Sequence, residues 1–170
     1  MREIKTKKKE IELLGSIEKA KLADVDKIYE LMQQPVKETK MLYRPRLELA
    51  RRIRDFFVCR LKNKVIGCIA LRIWTKKAAE IQSLVVSLEH RGKGIARRLI
   101  EICLKDAKNL GVPFVFIFTY EGELIMKVGF EKIGLNCLPR IIFTEKFILK
   151  DKVYGLKKIK YLRRKKKIMD

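Results

Sequence analysis

A chain of 170 residues with 48% apolar side chains has material for one α/β core and little for a second, and it is too apolar to stay disordered. Charged residues reach 36% and the net charge is +21, so the chain attracts anions: nucleotides, nucleic acid or acidic lipid. The charge is uneven, with +3 in residues 1–10 and +8 in residues 150–170, which leaves +10 for the rest.

Residues 1–15 read as a basic N-terminal extension with weak pattern. Ser16 to Ala20 reads as a short strand. Val25, Ile28, Tyr29, Leu31 and Met32 follow helical spacing, which predicts a helix over 22–33 that Pro35 stops. A polar linker runs to Pro45, and Leu47, Leu49, Ala50, Ile53 and Phe56 mark a second, arginine-rich amphipathic helix. The period then changes to two. Phe57–Leu61, Val65–Trp74 and Ala79–Val86 read as three strands joined by the tight turns 62–64 and 75–77, an antiparallel meander. Ile95, Leu99, Ile100, Cys103, Leu104, Ala107 and Leu110 form one helical stripe that Gly111 and Pro113 end. Phe114–Phe118 is an apolar strand, parallel to the one before the helix as a strand–helix–strand crossover requires. A short helix over 122–128 precedes Gly129-Phe130, and 131–133 and 153–156 read as late strands. The run Arg163–Lys167 reads as a solvated tail. The organisation expected is an extension (1–15), one domain (16–160) and a basic C-terminal tail (161–170).

Cys59, Cys68, Cys103 and Cys137 are far apart and form no CxxC, so the first three read as buried hydrophobes of a reducing compartment. With one histidine and no ligand cluster, no metal site is expected. No apolar run approaches the ~18 residues of a membrane span, and the basic N-terminus lacks the apolar stretch and cleavage site of a signal peptide. A soluble cytoplasmic protein is expected.

The stretch that carries chemistry is Arg91-Gly92-Lys93-Gly94-Ile95-Ala96, between a strand and a helix start. Small residues let a backbone approach a ligand, and the open N–H groups and dipole of a helix start favour an anion. Arg91 and Lys93 add charge at the rim. By itself the motif is weak, because a capped tight turn gives the same letters. A Walker loop is absent, and a dinucleotide fingerprint would need a glycine where Arg97 stands.

The strand, this turn, the long helix, the apolar strand and Lys127-Val128-Gly129-Phe130, in that order, resemble the GNAT acyl-CoA N-acyltransferases. Within that superfamily the chain is most similar to the amino-acid acetyltransferase domain of N-acetylglutamate synthase. The carrying residues are Ile28–Met32, Arg44–Leu49, Ala79–Val86, Phe118–Tyr120 and Leu138-Pro139. The resemblance implies an α/β (α+β) fold with a mixed central sheet of about six to seven strands flanked by helices. It implies acetyl-CoA as the acyl donor, with its pyrophosphate on Arg91, Gly92, Lys93, Gly94, Ile95 and Ala96. The backbone of Leu84, Val85 and Val86 would then pair with the pantetheine arm.

The resemblance also implies the catalytic assignment. Glu80 matches a carboxylate position of the family and is the candidate base, acting through a water. An exposed strand glutamate paired with a lysine is the competing reading. The oxyanion would rest on backbone N–H near Leu84 or Val85. The tyrosine that many relatives use as acid falls at Ile125, so Tyr120 is the candidate acid, or a packing tyrosine. Arg44 and Arg46 fall where glutamate-acetylating relatives carry basic residues for the amino-acid carboxylate, although a solvated basic helix reads equally well. Arg140 directly after Pro139 departs from the family pattern, which opens the identity of the acceptor. The expected partners are acetyl-CoA and a small primary amine, with weak polyanion contact through the basic tails and homodimerisation left open. A protein acetyltransferase and a nucleic-acid-associated basic protein are the alternatives.

Overall fold

The computed structural model describes residues 14–37, 41, 43–119, 122–134, 137–142 and 160–164. Among the described residues, seven strands are ordered β1-β2-β3-β4-β5-β7-β6 in one sheet. The chain divides into two compact units, Met1–Ala70 with Ser83–Cys103, and Leu71–Gln82 with Leu104–Asp170.

In the first unit, β1 (Ser16–Lys19) pairs antiparallel with β2 (Phe56–Leu61), which pairs antiparallel with β3 (Lys64–Thr75) from Phe56↔Ala70 to Leu61↔Lys64. The two-residue turn is closed by Lys62, at φ +53°. The helical stripe read from the sequence forms in two pieces, a 3-10 turn over Leu22–Asp24 and α1 (Val25–Lys37). Pro35 does not stop α1, contrary to expectation. It sits buried in the last turn, where the lost N–H breaks one bond close to an end that frays anyway, and the helix ends two residues later. The arginine-rich segment becomes α2 (Arg46–Arg51) and a 3-10 turn over Ile53–Asp55. Ile28 and Met32 of α1, Leu49 of α2, Ile53, and Phe56, Val58, Cys68, Ala70 and Val85 of the strands form the core. Asp24 is buried beneath Arg60, whose Nη2 donates to its Oδ1 at 2.8 Å while its Nε donates to Glu18.

In the second unit, β4 (Ala78–Val86) begins beside β5 (Phe114–Thr119) in parallel register, Ala78↔Phe114 to Ile81↔Ile117. That is the crossover expected around α3 (Ile95–Asn109), whose Ile95, Leu99, Ile100, Cys103, Leu104 and Ala107 are all buried. The short α4 (Gly122–Lys127) leads into β6 (Phe130–Lys132). The strand expected over 153–156 lies outside the described residues. A strand does form further on, as β7 (Lys160–Arg164), antiparallel to both β5 and β6. Lys160–Arg164 thus belongs to the sheet, including two arginines read from the sequence as tail. Backbone pairing on both sides outweighs the low strand preference of lysine and arginine. Trp74, Ala78, Phe116, Ile133, Leu138 and Ile142 form this unit's core. Among the described residues, no helix is long and apolar enough to cross a membrane.

Candidate active site

The glycine turn lies where the sequence put it, between β4 and α3. After Val86 a 3-10 turn runs over Leu88–His90, and α3 begins at Ile95. Gly92 and Gly94 both take left-handed backbone, at φ +75° and +80°, and a Cβ at either would meet nothing within 4 Å among the described residues. Left-handed glycines beside a helix start are a common feature of loops that turn backbone N–H groups toward an anion. The first helical bond is Arg98 N–H to Gly94 O at 3.1 Å, so Ile95, Ala96 and Arg97 have no acceptor within the helix. The first turn of α3 carries no acidic side chain to offset the dipole. Arg91 through Gly94 are exposed, whereas Ile95 is buried and anchors the helix start.

The charged residues of the turn are only partly committed. Arg91 Nε donates to Val86 O at 3.2 Å, tying the turn back to the strand end, and Lys93 Nζ donates to Glu89 O at 3.0 Å. The His90 ring is held by its Nδ1 against Ser87 Oγ at 2.8 Å.

Leu84, Val85 and Val86 follow a kink that the sequence did not reveal. Ser83 has φ +54°, unusual for a non-glycine inside a strand. Its backbone oxygen accepts from Cys68 Sγ at 3.4 Å, and burial pushes the Cys68 thiol up to about 12, so it stays a neutral donor. The buried Ser83 hydroxyl has no hydrogen-bond partner among the described residues.

Glu80 is not an exposed strand glutamate. It is 3% exposed, and its Oε2 accepts two hydrogen bonds, from Trp74 Nε1 at 2.8 Å and from Gln82 Nε2 at 2.7 Å. Gln82 reaches it because residues two apart share a face of a strand. Trp74 is fixed by the apolar cluster around it, and Arg72 lies over its ring at 3.8 Å. The sequence marked Glu80 but missed both donors. The signal available was the Glu-x-Gln alternation on β4 together with a single tryptophan at the end of the preceding strand.

Arg44 and Arg46 each already hold a carboxylate. Arg44 Nη1 pairs with Glu48, and Arg46 Nε bonds Asp26 Oδ1 at 2.7 Å while its guanidinium stacks on Tyr29. The Arg46–Asp26 pair is the exposed one, with side chains 52% and 72% accessible against 17% and 37% for Arg44–Glu48. Ile125, where many resembling enzymes carry a tyrosine, is a buried apolar residue of α4. Tyr120 lies outside the described residues.

Residues 22–130 match the family model described as Acetyltransferase (GNAT) family. The chain is 36% identical over 129 residues to an uncharacterised N-acetyltransferase of Chlorobaculum tepidum, covering 76% of this chain and 83% of that protein. It is 28% identical to an amino-acid acetyltransferase of Mycobacterium tuberculosis, covering 76% and 75%. Among solved structures, the N-acetylglutamate synthase of Neisseria gonorrhoeae complexed with coenzyme A and N-acetyl-glutamate superposes with a TM-score of 0.79 at 24% identity. That match covers 89% of this chain but only 35% of the gonococcal enzyme. A Mycobacterium tuberculosis protein crystallised with CoA gives a TM-score of 0.74 at 22% identity, covering 88% and 98%. With the glycine turn opening α3 and the family model spanning most of the chain, the protein belongs to the GNAT family of acetyltransferases.

Proposed function

We propose that this chain transfers the acetyl group of acetyl-CoA to the primary amine of an amino acid, by direct attack of the amine on the thioester. The observation that carries the reading is the content of one strand and its exit. β4 holds a buried, doubly hydrogen-bonded carboxylate at Glu80, kinks at Ser83, and leads into an open left-handed glycine nest. The relatives named amino-acid acetyltransferase and the CoA-bound structural neighbours support both donor and acceptor class.

In this reading the pyrophosphate of acetyl-CoA rests on the N–H groups of residues 91–96, with Arg91 and Lys93 at the rim. The pantetheine arm extends along the backbone of Leu84, Val85 and Val86. The thioester oxyanion would rest on a backbone N–H near Leu84 or Val85, just after the left-handed Ser83. Glu80 takes the ammonium proton through a water. The neutral nitrogen attacks the carbonyl carbon, the new C–N bond forms, and the C–S bond breaks to release CoA thiolate. Tyr120 is the candidate for returning a proton to that thiolate, although a thiolate leaves tolerably without one. Arg44 and Arg46 are the candidates for the acceptor's carboxylate, which would exchange with Glu48 or Asp26. The exposed Arg46–Asp26 pair exchanges at the lower cost.

A panel of the twenty amino acids and short peptides, supplied with acetyl-CoA and read by thiol release, tests the proposal. Release with one or a few free amino acids is expected. Release with peptides alone would make the chain a protein acetyltransferase, and none with any amine would refute the activity.

A further inference from the structure

We propose that Trp74 and Gln82 are positioning residues for the reaction, a two-donor clamp that fixes the plane and direction of the Glu80 carboxylate. The proposal rests on the reading of Glu80 as the base.

Both donors converge on the same oxygen. Trp74 Nε1 lies 2.8 Å and Gln82 Nε2 2.7 Å from Glu80 Oε2. A carboxylate has about four acceptor positions, and two donors on one oxygen fix the orientation of its plane. An indole N–H is a donor only and cannot take the proton itself. The clamp is rigid on both sides. The indole packs among Ala78, Phe116, Ile133 and Leu138, and the Arg72 guanidinium covers its ring at 3.8 Å. Gln82 is 9% exposed and stands on the same face of the same strand as Glu80. A glutamate side chain with three rotatable bonds would otherwise sample several rotamers, and a base acting through one water is effective only when its lone pair is aimed at that water. The same packing links the clamp to the segment after Pro139, where this chain departs from the resembling enzymes, because Leu138 and Ile142 lie in the Trp74 cluster.

A role confined to stability predicts that losing either donor lowers the melting temperature and leaves turnover per folded molecule alone. The clamp predicts the opposite split. Trp74→Phe keeps an aromatic ring in the cluster and removes the N–H, and Gln82→Met keeps the length and removes the amide. Each is expected to lower kcat about tenfold while the KM for acetyl-CoA stays within about twofold of the parent. In a Glu80→Gln background neither substitution is expected to lower kcat further, because there is no base left to aim. Gln82→Met serves alone if Trp74→Phe fails to fold.

A second readout needs no acceptor. Trp74 is the only tryptophan in the chain, so its emission reports on its partner. Glu80→Gln removes a charge beside the indole N–H and is expected to move the emission maximum. Unchanged emission would overturn the contact. Loss of turnover in Glu80→Gln with unchanged kcat in both Trp74→Phe and Gln82→Met would overturn the clamp while keeping the base. Full turnover in Glu80→Gln would remove the base, and with it any catalytic meaning of the clamp, even where the fluorescence contact holds.

Discussion

Adding one methyl group at Gly67 tests how tightly α3 is seated. A Cβ there would lie 3.1 Å from Leu99 Cδ1, 3.2 Å from Val85 O and 3.5 Å from Ile95 Cγ2. Two of these neighbours resist displacement. Leu99 is fully buried, and the Val85 oxygen is strand backbone within the segment proposed to meet the pantetheine arm. Overpacking of this kind costs about 1–3 kcal/mol. Replacing a glycine recovers roughly 0.4–1 kcal/mol by restricting the unfolded chain. The net expectation for Gly67→Ala is a loss of about 1–2 kcal/mol, or a melting temperature lower by about 2–8 °C for a chain of this size. Calorimetry and urea titration of parent and variant measure it. Because Ile95 opens α3 at the glycine nest, weaker acetyl-CoA binding is expected to accompany the loss. An unchanged or raised melting temperature would refute the close packing of β3 against α3 in the first unit.

Other consequences can be checked on the same preparations. Acetyl-CoA is expected to raise the melting temperature of the parent by mass action, and Gly94→Glu to abolish that shift by placing a carboxylate in the nest. Gly94→Ala meets no atom of the described residues, so it should cost only the strain of φ +80°, about 1–2 kcal/mol. Burial would push the Asp24 carboxyl up, but hydrogen bonds from Arg60 and the Lys21 N–H, together with the charges of Arg60 and Lys27, hold it below its ordinary value. Its contribution is therefore fully present above the ordinary carboxylate range and is lost as pH falls through the lowered folded-state value. Asp24→Asn should cost about 2 kcal/mol in urea titration at neutral pH, with the gap between parent and variant closing in strong acid. A gap that widens in acid would contradict the assignment. Ser83→Ala removes a buried hydroxyl that has no partner among the described residues, so stability should stay level or rise by up to about 1 kcal/mol. A larger loss would mean that the hydroxyl is engaged.

Much of this architecture was legible because burial imposes a period. Ile95, Leu99, Cys103 and Ala107 repeat at helical spacing, and the three strands from Phe56 to Val86 are separated by turns too short for anything but antiparallel pairing. The boundaries were less legible. Pro35 lies inside α1 because a proline near a helix end breaks little, and β7 lies in a basic run because its strand character comes from its neighbours rather than from its residues. At the candidate site the glycine turn before α3 could be read, and the structure gives both glycines left-handed backbone. The Trp74–Glu80–Gln82 cluster could be read only in part, since a side-chain bond between two strands leaves no periodic trace. The left-handed backbone at Ser83 was invisible, because serine gives no sign of it.

The central claim is that an acetyltransferase base stands at Glu80, and thiol release in the amino-acid panel with Glu80→Gln beside the parent tests it most directly. The account predicts release by the parent with at least one amino acid, a fall of about a hundredfold or more in Glu80→Gln, and an acetyl-CoA melting shift retained in both. Equal release by parent and variant, or none by the parent with any amine, would contradict it.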